Sequence, residues 1–229
     1  MIRTVIFDID NTLYDFASAN ETAICALERY AEEQFGWPRG KLREEYKAAQ
    51  DELLRAAGFY HGGVRDRILR IQLILEKYAL PFQPHAAAMY RLYWDTLLDV
   101  MVRSEGAEEV LRSLKERGVR IGAGTDMTAF MQFQKLERLG LLPYFDFIVT
   151  SEEAGQEKPS AVFFSRCKDK MLCAPEECLF VGDHPEKDYR GAKRAGLQAL
   201  WYNPQKIKNT NCPDEVSDLR EILDRVDVR

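Results

Sequence analysis

The sequence contains no CxxC pair, and its five cysteines, at 25, 167, 173, 178 and 212, form an odd set that fits neither a zinc-site spacing nor a secreted disulfide framework. Reduced, structural thiols are expected. No apolar run approaches the roughly 18 residues that a membrane span requires. Near the start only Val5-Ile6-Phe7 is apolar, too little for a secretory core of about 7–15 residues, so the expected location is the cytoplasm. Excess positive charge is missing too, with 32 Lys and Arg against 37 Asp and Glu and a formal net charge of −5. Without a broad basic surface the chain is not suited to coating a nucleic-acid polymer. Internal repeats and low-complexity tracts are also absent.

What the chain does have is an ordinary globular composition, 46% apolar and 30% charged. Short runs rich in branched and aromatic residues at 4–7, 120–123, 145–150, 178–182 and 198–202 predict five strands. Helical patterns separate the later four; in 127–139, Phe130, Phe133 and Leu136 recur at helical spacing and Gly140 acts as the stop. Strands alternating with helices predict a Rossmann-like parallel sheet covered on both faces. The stretch after the first strand is different. Apolar residues at three- and four-residue spacing over 17–35, 41–57, 64–78 and 84–102 are divided by Gly36-Trp37-Pro38, by Gly58 to Gly63 and by Pro81. A structureless loop of that length is improbable in a compact domain. The sequence therefore predicts an all-helical subdomain over 14–102 inserted into a core formed by 1–13 and 103–229. A helix over 105–117 leads back to the sheet, and an amphipathic segment, 215–226, is expected to pack against it after the linker 203–213.

Asp8 and Asp10 leave the first strand two residues apart, at the sheet edge where ligands bind in open α/β folds. Asp183 and Asp188 follow another strand. Convergence of these carboxylates is tolerable only around a hard cation, for which magnesium is the natural candidate. Two further strand ends supply Thr125 and Lys158. Together with a helix beginning near Asp126 or Met127 they form a phosphate cradle. Taken singly, each residue reads as an ordinary turn, cap or surface residue; only the set carries a functional inference.

Asp8-x-Asp10-x-Thr12, Thr125, Lys158-Pro159 and Gly182-Asp183-x4-Asp188, in that order, resemble the haloacid dehalogenase (HAD) superfamily, in its phosphatase branch with a helical C1-type cap. The resemblance implies that 14–102 is the cap, that Asp8 is the nucleophile and a magnesium ligand, and that Asp10 is the general acid and base and lends its backbone carbonyl to the metal. It further implies Asp183 as a metal carboxylate, Asp188 as a metal support, directly or through water, Thr125 as the phosphate-binding hydroxyl and Lys158 as the charge-balancing cation. Asp126 is placed beside the phosphate or as a helix cap facing away from it. An acid at position 10 favours phosphate-ester hydrolysis over dehalogenation, where the departing halide needs no proton. Phosphomutase activity, or a catalytically idle chain that binds a metabolite or a protein, is also compatible with these motifs. The expected substrate is a small phosphorylated metabolite, a nucleoside monophosphate or a sugar phosphate. Residues 125–151 resemble nucleoside 5′-monophosphate phosphatases of the same superfamily. Cap candidates for choosing the substrate are Tyr60, His61, Arg65 and Arg67, in a protein expected to be a monomer or a homodimer.

Overall fold

In a computed structural model that describes residues 1–58, 65–208 and 211–226, the chain forms two compact units, Met1–Asp15 with Val102–Arg229, and Phe16–Met101. The first is built on a six-stranded sheet in the order β3-β2-β1-β4-β5-β6, with every pairing parallel. Its strands are β1 (Thr4–Phe7), β2 (Arg120–Thr125), β3 (Phe147–Thr150), β4 (Cys178–Gly182), β5 (Gln198–Tyr202) and β6 (Glu215–Val216). A parallel strand with helices over both faces must be apolar on both sides. Accordingly Val5, Ile6 and Phe7 of β1 and Phe180 and Val181 of β4 are all buried. Strand order reverses between β1 and β4, whose Phe7 and Val181 are register partners. That crevice is the expected ligand position in such a sheet.

The sixth strand was not expected. Glu215–Val216 adds to the sheet edge through Trp201 and Tyr202, and the chain continues as a 3₁₀ turn, Leu219–Arg225, capped by Asp218. Leu219 and Ile222 are its buried residues; a two-residue strand is too short to leave an alternating pattern.

The second unit contains α1 (Phe16–Phe35), α2 (Lys41–Ala57), α3 (Arg67–Lys77) and α4 (Phe82–Val100), after which α5 (Ala107–Glu116) belongs to the first unit and precedes β2. Gly58 closes α2 in the left-handed conformation at φ 74°, its N–H donating to the Leu54 carbonyl, a geometry that favours glycine. Asp66 opens α3 by accepting from the Ile68 N–H. Leu27, Leu42, Ile71, Ile74, Leu75, Met89, Tyr93 and Leu97 form its core. Among the described residues no helix is long and apolar enough to cross a membrane.

Candidate active site

The ends of β1, β2 and β4 bring one group of polar side chains together. Lys158, buried, reaches in from the segment after β3 and places its Nζ 2.7 Å from Asp8 Oδ1, 2.7 Å from Asp188 Oδ1 and 3.0 Å from the Gly124 carbonyl. Asp8, Asp183 and Asp188 each present a carboxylate oxygen within 4.8 Å of the others. Gly182 is part of the reason: a Cβ there would lie 2.4 Å from the Asp188 carboxyl carbon, so only glycine admits that carboxylate without displacement. The His184 N–H then holds Asp188 Oδ2 at 2.9 Å, and Trp201 Nε1 donates to the Asp183 carbonyl at 2.7 Å.

The electrostatics show how crowded the cluster is. Burial, together with repulsion from Asp188, Asp183 and Asp10, raises Asp8 well above the usual carboxylate range despite Lys158. Burial and Asp188 likewise push Asp183 up to about 7. Lys158 is desolvated too, but Asp188 and Asp8 hold its pKa well above that of an ordinary lysine, so it stays charged. Three converging carboxylates, two of them reluctant to ionise, form an all-oxygen donor set of the kind that fits a hard divalent cation.

A pH dependence follows. Without metal the folded chain retains protons on Asp8 and Asp183 that the unfolded chain has already lost, so stability falls as pH rises from the unfolded carboxylate pKa, near 4, toward the Asp183 value of about 7. Magnesium binding requires the ionised forms. The rise in Tm that magnesium produces should therefore be larger at about pH 8 than at about pH 5. Melting curves at both pH values, with magnesium and with EDTA, check this; equal increments would show that the carboxylates do not receive the ion.

Asp10 lies in a separate network. Its Oδ1 accepts from Tyr14 Oη at 2.5 Å and Lys135 Nζ at 2.6 Å, and its Oδ2 accepts from Gln132 Nε2 at 3.2 Å. Gln132 Nε2 also reaches Thr125 Oγ1 at 2.6 Å, linking the two motif residues. Burial works against charge on Asp10, yet Lys135, then Tyr14 and Gln132, hold it below the usual carboxylate range, so it is ionised at neutral pH.

Sequence reasoning missed Lys135 and Gln132 because it chose the wrong face of their helix, α6 (Ala129–Arg138). Phe130 and Phe133 are 68% and 46% exposed, whereas Met131, Gln132, Lys135 and Leu136 are buried. The usable signal is Gln132, Lys135, Leu136 and Leu139, at i, i+3, i+4 and i+7, a stripe that its two polar members hide from a purely hydrophobic pattern.

Asp126 also departs from expectation. The cap position of α6 belongs to Thr128, and the Asp126 carboxylate accepts from the Lys158 N–H at 2.9 Å and from Lys187 Nζ at 2.7 Å. Burial opposes its charge, but Lys158 and Lys187 keep its pKa low. An ionised carboxylate repels phosphate, and this one ties the Lys158 and Lys187 segments together instead. Its neighbour Met127 sits at φ 150°, an unusual backbone for a side chain with a Cβ, secured by an N–H bond to Ser151 Oγ at 2.9 Å. Of the residues expected to choose the substrate, Tyr60 and His61 lie outside the described residues. Arg65 and Arg67 belong to the helical unit, where the Arg67 Nη1 donates to the Arg65 carbonyl.

A parallel α/β sheet with buried carboxylates and a lysine gathered at its switch point defines a hydrolase-type site. The family model of the haloacid dehalogenase-like hydrolases matches residues 2–196, and the chain belongs to that family. The ribulose-1,5-bisphosphate 5-phosphatase of Halopiger xanaduensis is 35% identical, over 98% of this chain and 91% of its own. The structure of the HAD-hydrolase YfnB of Bacillus subtilis bound to magnesium is similar with a TM-score of 0.71 and 25% identity, covering 99% of both chains. A 2-haloacid dehalogenase from Pseudomonas syringae is similar with a TM-score of 0.80 and 27% identity, covering 98% of this chain and 99% of that one. This protein is therefore a HAD-family hydrolase, with named phosphatases among its relatives.

Proposed function

We propose that the protein hydrolyses a sugar phosphate or nucleoside monophosphate with magnesium, in the cytoplasm, using Asp8 as nucleophile, and that the helical unit serves as its cap. The observation that carries the reading is the meeting of Asp8, Asp183 and Asp188 oxygens within 4.8 Å, with Lys158 at 2.7 Å from Asp8. Asp8, Asp183 and Asp188 would hold the ion, which when bound supplies positive charge that ionises the carboxylates and offsets the negative charge of a phosphate. Lys158 adds a second positive charge beside the attacking oxygen. Asp8 attacks phosphorus while the bond to the departing alkoxide breaks; the alkoxide takes a proton, and an aspartyl-phosphate is left. Water then attacks that phosphorus and gives up a proton as the bond from Asp8 to phosphorus breaks, so that Asp8 is regenerated and inorganic phosphate is released. Thr125, oriented by Gln132, would donate to a phosphoryl oxygen.

Asp10 is assigned both proton transfers. The Lys135 contact holds it ionised in this structure, a state ready to accept the proton of water; to act as the acid it must first gain a proton. Lys135 is thus a positioning residue. Lys135→Met should slow hydrolysis of an alkyl phosphate by about 10-fold or more, with a smaller effect on p-nitrophenyl phosphate, whose leaving group departs without help. Equal losses on the two substrates in steady-state assays would rule out that role.

Dehalogenation is favoured by the likeness to the Pseudomonas syringae enzyme. Against it, expelling halide requires no proton, yet three side chains here are arranged to hold Asp10. The test is paired: magnesium-dependent phosphate release across a panel of phosphorylated metabolites, and halide release from 2-chloropropionate. Phosphate without halide is expected. Halide alone would overturn the reading.

A further inference from the structure

The turn between β2 and α6 stores backbone strain. Met127 is buried there at φ 150°, a positive value that a residue with a Cβ rarely adopts and keeps only where its surroundings over-determine it. Those surroundings are Ser151 and Glu152, the first two residues of the short helix Ser151–Ala154 that follows β3. Ser151 is fully buried, and its Oγ accepts from the Met127 N–H at 2.9 Å and donates to the Met127 carbonyl at 3.5 Å. The same carbonyl accepts from the Glu152 N–H at 3.4 Å. Glu152 Oε2 in turn accepts from the Ala129 N–H at 2.8 Å, one of the first-turn donors of α6 that have no partner within the helix. Thr128, the cap residue of α6, makes no side-chain cap bond of its own, so the cap comes from the neighbouring segment. The pairing of Thr125 with Thr150 is what brings that segment alongside.

The residues on either side of Met127 belong to the site. Thr125 Oγ1 and the Asp126 carbonyl accept from Gln132 Nε2 at 2.6 and 3.3 Å, and Asp126 Oδ1 accepts from the Lys158 N–H at 2.9 Å. Relaxation of Met127 to an ordinary negative φ would turn α6 relative to β2 and carry Gln132 away from Thr125. We propose that Ser151 and Glu152 are positioning residues for phosphate binding. By clamping the strained turn they hold Thr125, and through α6 also Gln132, where a phosphoryl oxygen is received. Both act through the backbone of 127–129, and the assignment rests on the phosphatase reading.

Ser151→Ala should lower kcat/KM for p-nitrophenyl phosphate by about tenfold and raise the competitive Ki of tungstate by a similar factor. The half-saturating magnesium concentration should stay where it is, because Asp8, Asp183 and Asp188 follow β1 and β4 instead. A merely structural role moves all three quantities together, and that result would overturn the assignment. Strain is tested separately with Met127→Gly, since glycine adopts a positive φ without the steric penalty. In that background the loss caused by Ser151→Ala should shrink to about twofold or less; an undiminished loss would show that Ser151 does not act through the turn. If Ser151→Ala fails to fold, Glu152→Ala, at an exposed position, should show the same pattern at about threefold, and wild-type kcat/KM and Ki in it would overturn the clamp. Wild-type values in a folded Ser151→Ala chain would do the same while leaving the phosphatase reading intact. A wild-type protein that releases no phosphate from any substrate would remove that reading, and the clamp's role with it.

Discussion

Asp8→Asn is expected to abolish phosphate release, with kcat reduced by at least about 10⁴-fold on every substrate, because an amide cannot form the acyl-phosphate bond through which the proposed reaction runs. The same substitution should not destabilise the metal-free protein. Burial and three neighbouring carboxylates make the charge on Asp8 unfavourable in the folded state, even with Lys158 beside it. Removing that charge relieves repulsion on Asp183 and Asp188, so the Tm of the variant in EDTA at about pH 8 should equal or exceed that of the wild type. Lost activity with retained or raised stability separates a nucleophile from a structural carboxylate. A variant that melts far below the wild type, or one that keeps a tenth of the activity, would count against Asp8 as the attacking group. Steady-state assays and melting curves on the same preparations provide both measurements.

Asp10→Asn is expected to reveal a different defect. The nucleophile and the metal carboxylates remain, so attack on phosphorus is still available, but the departing alkoxide loses its proton donor and the hydrolytic water its base. An alkyl phosphate should then turn over about 10²- to 10⁴-fold more slowly, the usual range for general acid–base catalysis. With p-nitrophenyl phosphate the first step needs little acid help, so the aspartyl-phosphate forms and its hydrolysis limits the rate; an initial burst of nitrophenolate should precede slow turnover. Equal activity of variant and wild type on an alkyl phosphate would remove Asp10 from the mechanism. The contacts from Tyr14, Gln132 and Lys135 are the structural reason to expect a strong effect, since three donors fix the carboxylate of a side chain that lies outside the acidic cluster.

The strands were readable in the sequence where burial on both faces forces a continuous apolar run. Thr4–Phe7, Cys178–Gly182 and Gln198–Tyr202 appear with the expected limits, while Arg120–Thr125 extends two residues further because Gly124 and Thr125 pair with Val149 and Thr150. The edge strand Glu215–Val216 was hidden by its length. In α6 the hydrophobic pattern was misleading, because Phe130 and Phe133 are exposed and the buried stripe includes a lysine and a glutamine. A site that buries polar side chains breaks the pattern from which helix faces are read, and the residues lost to sequence reasoning were those that hold Asp10. Lys187 was missed for a related reason. Its value lies in meeting Asp126 and Glu157 across 61 and 30 residues of sequence, a convergence that no local spacing encodes. Asp8, Asp183 and Lys158 were found because each directly follows a strand or its adjoining loop, where topology alone brings them to one edge of the sheet.

The most direct measurement is to mix the magnesium-loaded wild-type protein with a phosphorylated substrate, quench with acid during the first turnover, digest, and determine the masses of the peptides. One phosphoryl group on Asp8, removable by hydroxylamine as an acyl phosphate must be, is the expected result. A phosphoryl group on any other residue, or rapid phosphate release with no labelled peptide at any quench time, would contradict nucleophilic catalysis by Asp8.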